Sequence, residues 1–266
     1  MHDSKMASDL ILFEKFQGYN VITLNQPETF NAFSKEMISA ILDVLRSLKE
    51  SLEEKPLIIT GTGKAFSSGG NLGVMKEYVE HGKSVEYIQS IVPFVNEVIT
   101  LLFDYRGPTL AIMNGHAVGG GLNLAMACDF RIVHEKAKFK LGFIDIGLTP
   151  ATGNSFFIPK MVGIQRTLAL SLFSESISAQ DLYNWGLANE IYSDYTAEEE
   201  KTLWIKKICS LDPWQVYTVR SLLYKSMRNS LDQQMKLEYT KVQEASNRSF
   251  FKEKVLARWK EITEKK

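Results

Sequence analysis

Two glycine-rich segments hold the residues of this sequence best suited to chemistry. They are Gly63-Lys64-Ala65-Phe66-Ser67-Ser68-Gly69-Gly70-Asn71-Leu72 and Asn114-Gly115-His116-Ala117-Val118-Gly119-Gly120-Gly121. Each follows a short apolar run that reads as a buried strand. Glycine admits positive φ and lets another group approach the backbone closely. Loops at the carboxyl ends of parallel strands are also where α/β folds place ligands. Alone, either loop reads as a tight turn with close helix packing. Neither is a nucleotide loop. A dinucleotide turn needs a third glycine that Gly119-Gly120-Gly121-Leu122-Asn123-Leu124 lacks, and Glu135 and Asp145 miss the downstream spacing of about 20 residues. Gly61-Thr62-Gly63-Lys64 has neither the spacing nor the hydroxyl residue of a phosphate loop. Together, the two loops suit another chemistry. One backbone N–H from each can converge on a single developing oxyanion. Such preorganised donors strengthen as charge builds, and losing one costs about 3–4 kcal/mol. A helix opening at Gly120 would bring its positive dipole end to the same place.

Positioning these loops requires a framework. Residues 10–16 and 21–24 read as strands joined by the turn Gln17-Gly18-Tyr19-Asn20. Ser34 suits the N-cap of a helix over 35–52, where Met37, Ile38, Ile41, Leu42, Val44, Leu45 and Leu48 recur at helical spacing. Residues 57–60 and 109–113 read as strands buried on both faces. The stretch 61–73 is too rich in glycine to be a regular element. Residues 85–103 have helical periodicity that Pro93 should kink or interrupt. A helical run at 122–128 and a strand at 130–133 follow. Strand–helix–strand–helix–strand predicts an α/β core with right-handed crossovers. From Ser155 onward the chain reads as mostly helical, including 179–185, 197–211 and 214–264. That shift divides the chain into a core over 1–190 and a helical C-terminal region over 191–266.

Composition narrows the function class. A chain of 266 residues, 45% hydrophobic and 23% charged, allows one large domain or two small ones. Lys+Arg and Asp+Glu are each 31, so the basic excess of a nucleic-acid partner is missing. Cys128 and Cys209 both sit in apolar segments and read as buried thiols. No stretch approaches the ~18 consecutive apolar residues of a membrane span. Residues 1–9 have no apolar targeting core. A cytoplasmic protein with no membrane partner is expected.

At the level of motifs the sequence resembles the enoyl-CoA hydratase/isomerase (crotonase) family. Ala65 through Leu72 is similar to that family's AFxAGxDL segment, and Asn114 through Leu122, with Cys128-Asp129, to its second glycine segment. Asn25-Gln26-Pro27-Glu28-Thr29-Phe30-Asn31-Ala32 resembles its NRPxxxNA segment. Gly147-Leu148-Thr149-Pro150, Pro159-Lys160-Met161-Val162-Gly163, Ile177-Ser178-Ala179 and Trp185-Gly186-Leu187-Ala188 follow in family order. The resemblance implies a crotonase-like ββα spiral core with a C-terminal helical trimerisation region, often a dimer of trimers. Leu237, Val242 and Ala245 would lie on the faces buried between subunits. It implies an acyl-CoA substrate, with coenzyme A as part of that substrate and no other cofactor or metal. By position, the N–H groups of Gly70 and Gly120 would form the oxyanion hole. Ser68, Asn71 and Leu72 would line the turn receiving the adenine and pantetheine arm. Ala65, Gly119 and Phe143 count with them as substrate-binding positions.

The departures concern proton transfer. Family hydratases use two glutamates, and the matching positions here are Asn123 and Phe143. Many isomerases carry their acid just after the G-L-x-P turn, where this chain has Ala151. Neither Asn nor Phe exchanges a proton in the range where general acid–base catalysis works. Asp145, between two isoleucines, has two readings: an acid or base with a raised pKa, or a carboxylate facing away and bonding a loop. Asn123 also has two: an amide that positions water or the thioester tail, or a polar filler at the pocket edge. Asp129 and His116 read as structural, and Tyr78, Glu77 and His81 as a solvated helix face. The segment Thr149 through Lys160 resembles decarboxylating crotonase homologues of polyketide β-branching, though Phe250-Phe251-Lys252 stands where those carry a histidine. Isomerase, decarboxylase and non-catalytic acyl-CoA-binding readings therefore stand beside hydratase.

Overall fold

The computed structural model describes residues 3–264, with side chains from residue 9 onward. Met1 and His2, part of the N-terminal segment considered above, and Lys265 and Lys266 lie outside the described residues. The chain runs β1 (Asp3–Ser8), β2 (Ile11–Lys15), β3 (Asn20–Leu24), α1 (Lys35–Glu50), β4 (Leu57–Gly61), β5 (Ala65–Ser67), α2 (Leu72–Glu80), α3 (Ser84–Phe103), β6 (Thr109–Met113) and β7 (His116–Val118). It continues with α4 (Gly120–Met126), β8 (Phe130–His134), β9 (Lys138–Lys140), α5 (Asn154–Val162), α6 (Ile164–Phe173), β10 (Ile177–Ser178), α7 (Ala179–Asn184), β11 (Glu190–Tyr192) and α8 (Ala197–Cys209).

Seven strands form one sheet in the order β1-β2-β3-β4-β6-β8-β11. The first three pair antiparallel, and every later pair is parallel. Alternation explains the burial of both faces. Leu57 and Ile59 of β4 and Ala111 and Met113 of β6 face the main core with the α1 and α3 stripes. Ile58, Leu110, Ile112 and Ile132 face the other side, where Trp204 and Ile208 of α8 cover them. The Ser34 hydroxyl caps α1 by accepting from the Met37 N–H at 3.1 Å.

Three features differ from the sequence reading. The glycine-rich stretch 61–73 contains β5, which joins β7, β9 and β10 in a second, four-stranded sheet. These strands span only two or three residues each, too short to show a period. The α3 helix runs unbroken through Pro93. Pro93 and Gln89, whose carbonyl it frees, are both exposed, so water can satisfy that carbonyl. At 20 residues, α3 is also long and apolar enough to cross a membrane by length and composition. Its buried stripe of Tyr87, Ile91, Val95, Val98, Ile99 and Leu102 instead belongs to the core.

The chain divides into two compact units, Met1–Pro213 and Trp214–Lys266. The first runs past the expected boundary at residue 190, because β11 pairs with β8 and α8 covers the sheet. The helical second unit holds α9 (Pro213–Ser226), α10 (Leu231–Ser246) and α11 (Ser249–Thr263). The continuous helix read over 214–264 breaks where Ser230 starts a capping box with Gln233. In this unit Leu237 and Ala245 are half-buried, while Val242, Leu256 and Trp259 are exposed. Cys128 is buried as expected, but Cys209, ending α8, is exposed.

Candidate active site

Two asparagines fix the first glycine loop. Asn31, fully buried, donates through Nδ2 to the carbonyls of Thr62 at 3.0 Å and Ala65 at 2.8 Å. Its own carbonyl accepts from the Ser67 hydroxyl at 2.8 Å. Asn114 accepts the Gly61 N–H at 3.0 Å and donates to the Gly63 carbonyl at 3.0 Å. The second loop is held from below. Arg131, buried behind α4, donates to the Cys128 carbonyl at 2.6 Å and satisfies that helix terminus. His116 accepts the Lys138 N–H at 3.0 Å, tying β7 to β9. Asp129 accepts from the Thr109 N–H and hydroxyl, each at 2.9 Å. Both residues act structurally, as the sequence suggested.

The loops meet at backbone distance. Gly69 has φ +75°, and a Cβ there would stand 2.6 Å from the Val118 carbonyl oxygen and 3.0 Å from the Gly120 nitrogen. Glycine is therefore required. The Phe33 N–H donates to the Gly69 carbonyl at 2.7 Å, and the Phe33 ring packs under Gly120. The helix α4 opens at Gly120, as expected. Among the described residues, the N–H groups of Gly70 and Gly120 have no hydrogen-bond acceptor. Both residues line one cavity of about 670 Å³. Its wall is mainly apolar, with Phe33, Met75, Ile91, Val95 and Phe143 among the contributors.

The sequence-derived site residues divide into two groups. Gly70, Gly119, Gly120, Ser68, Asn71, Leu72, Phe143 and Asp145 all line this cavity. Ala65 does not: it is a buried β5 residue whose carbonyl serves Asn31 and Asn114. Asn123 is also off the wall and fully buried. Its Nδ2 donates to the Ala151 carbonyl at 3.0 Å and the Thr152 hydroxyl at 2.8 Å, and its Oδ1 accepts from Asn154 at 3.1 Å. The amide expected at the reacting centre therefore braces a loop. That loop holds Thr152 at φ 52°, a conformation a β-branched residue seldom adopts.

Asp145 departs from the raised-pKa reading. Its carboxylate is solvent-exposed, and the Lys140 ammonium 2.7 Å away holds it below the usual carboxylate range. Desolvation opposes this, and the Ser174 hydroxyl adds to the lowering. Tyr78, Glu77 and His81 lie on or beside α2, off the cavity wall. The sequence reading missed Tyr87 and Thr152, which do line it. Tyr87 falls on the apolar stripe of α3, where spacing marks it as core. Thr152 had no signal beyond its place after Ala151.

Comparison with known proteins identifies the family and the fold. The profile of the family described as Enoyl-CoA hydratase/isomerase matches residues 14–265. A probable enoyl-CoA hydratase of Rhodobacter capsulatus is 30% identical over 255 residues, covering 95% of each chain. The 1,2-epoxyphenylacetyl-CoA isomerase of Escherichia coli K12 is 26% identical, across 86% of this chain and 87% of its own. The crystal structure of an enoyl-CoA hydratase from Polaromonas sp. JS666 superposes with a TM-score of 0.85 at 27% identity, over 94% of this chain and 97% of that one. The chain has the crotonase fold and belongs to the enoyl-CoA hydratase/isomerase family.

Proposed function

We propose that this protein binds an acyl thioester of coenzyme A and stabilises its enolate with the N–H groups of Gly70 and Gly120. One observation carries the reading: two residues whose backbone N–H groups have no acceptor among the described residues, on loops in direct contact, line the same apolar cavity. Fixed donors aimed at developing charge in a water-poor site need no reorganisation as the reaction proceeds. The thioester carbonyl sits between them, and the acyl chain runs along Ile91, Val95 and Phe143.

The reaction is an isomerisation or a decarboxylation rather than hydration. Hydration needs one group to activate water and another to deliver a proton. The positions where the family resemblance places the two hydratase glutamates hold Asn123 and Phe143, and the isomerase acid position holds Ala151; none of these transfers protons at neutral pH, so an isomerisation here would take its proton carrier from another residue, solvent or the substrate. Decarboxylation needs no base, because loss of CO2 itself leaves the carbanion that the two amides stabilise. The similarity to 1,2-epoxyphenylacetyl-CoA isomerase fits a family member whose reaction is not hydration. A calorimetric titration with saturated, enoyl, 3-oxo and malonyl-type CoA thioesters, paired with mass spectrometry of the products, tests the reading. Binding is expected throughout, with conversion confined to isomerisable or decarboxylatable thioesters and slow hydration of crotonyl-CoA. Crotonyl-CoA turnover at the rate of ordinary hydratases would remove the reading. Binding without any conversion would favour a non-catalytic acyl-CoA-binding protein.

A further inference from the structure

Tyr87 is a polar residue in the cavity wall whose proton no group among the described residues accepts. It lies on α3, is 4% exposed, and its ring packs edge-on against Tyr78 with centroids 5.5 Å apart. Its hydroxyl is buried; the Asn71 backbone N–H lies against its oxygen, but no acceptor takes its proton among the described residues. That hydroxyl lies beside the first glycine loop: a Cβ on Gly70 would stand 3.7 Å from the Tyr87 oxygen. A buried hydroxyl without an acceptor costs free energy, and phenylalanine would fill the same space without that cost. Unsatisfied polar groups in folded proteins call for a specific explanation, and a functional site is a common one.

The available chemistry is narrow. Burial pushes the phenol pKa up, with the nearby Asn71 amide pulling only part of the way back. The group therefore stays protonated at neutral pH and can donate but not act as a base. On the same wall Met75, Ile88 and Ile91 have no side-chain oxygen, and the Oδ1 of neighbouring Asn71 already accepts the Val74 N–H at 3.2 Å. An acceptor must then arrive with the ligand, and in the reading above the thioester oxygen comes to Gly70, next to this hydroxyl.

We infer that the Tyr87 hydroxyl is a third hydrogen-bond donor to the bound thioester, sharing the developing enolate charge with the Gly70 and Gly120 amides. This rests on the oxyanion reading and extends it. The phenol keeps its proton throughout, so no covalent step is added. It compensates for the missing acids only in part, by stabilising charge rather than moving protons.

Acetoacetyl-CoA is a suitable probe, because its enolate absorbs in the near ultraviolet and its ionisation can be titrated on the protein. The wild-type protein should ionise bound acetoacetyl-CoA at lower pH than free solution does. Tyr87→Phe should reduce that stabilisation at least about tenfold, the low end for a hydrogen bond to a charged group. Its melting temperature should be equal or higher, since a buried hydroxyl without an acceptor is removed. Tyr78→Phe, the same change on the ring that packs against Tyr87 but off the cavity wall, should leave the enolate titration unchanged. A Tyr87→Phe variant that melts lower while ionising the probe like wild type would make Tyr87 structural and overturn the inference alone. No enolate shift in the wild-type protein would bring down the oxyanion reading and this inference with it.

Discussion

The two sides of the cavity are built by different means. On the glycine side the two proposed amide donors belong to the backbone, and close packing excludes side chains from the glycines themselves. A Cβ on Gly121 would stand 2.3 Å from the Ser67 carbonyl oxygen. Elsewhere on the wall Phe143 and Ala151 present side chains, the Phe143 ring close to Gly119, and Asn123 stands just behind the wall. The family resemblance holds on the first side and fails on the second. The physical reason is that a backbone donor exists only while the loop keeps its path, so the fold itself preserves it. A carboxylate is one replaceable side chain, and its position can turn to packing or bracing while the loops stay in place. In the proposed reading, the fold and the glycine loops therefore keep to the family while the chemistry differs.

The comparison is tested most severely at Gly121. Replacing it by alanine drives a methyl group into the Ser67 carbonyl, which belongs to β5 and cannot swing aside. Such overpacking should cost about 2–3 kcal/mol, read as a lowered urea midpoint. A midpoint equal to wild type would mean the glycine side tolerates side chains after all.

Asn123 tests the other side with a smaller effect. Alanine there strips partners from the Ala151 carbonyl, the Thr152 hydroxyl and the Asn154 amide at once. A loss of about 1–3 kcal/mol is expected from the unsatisfied groups. Because Asn123 braces rather than reacts, the pH–rate profile of any active thioester should keep its shape. If the profile instead lost an inflection while stability held, Asn123 would be taking part in the chemistry.

How much of this was legible follows from the same contrast. Helix α1 was readable almost to its ends, because Ser34 and a regular apolar stripe encode it locally. The parallel strands β4, β6 and β8 showed as short apolar runs because both their faces are buried. The oxyanion loops showed as glycines because glycine alone fits where two backbones touch. The second sheet was invisible, because strands of two or three residues carry no periodicity and pair only once the loops have been placed. Tyr87 looked like core because spacing reports which side of a helix is buried, not whether a cavity waits there. The direction of the Asn123 amide depends on a loop nearly 30 residues later that no local pattern fixes.

Asp145 offers the finest distinction and the smallest effect. Its folded pKa lies below the ordinary value of about 3.9. Whatever its pair with Lys140 contributes is thus complete above the unfolded pKa and lost as pH falls through the lower folded one. An exposed ion pair of this kind contributes little at any pH. Asp145→Asn should therefore melt close to wild type even from about pH 6 to 9, where the pair's small contribution is fully present. The pH dependence of thioester conversion should be equally unmoved. An inflection near neutral pH that disappears in Asp145→Asn would mean that substrate binding displaces Lys140 and raises the carboxyl. The side-chain half of the cavity would then hold a working acid, and its contrast with the glycine half would no longer stand.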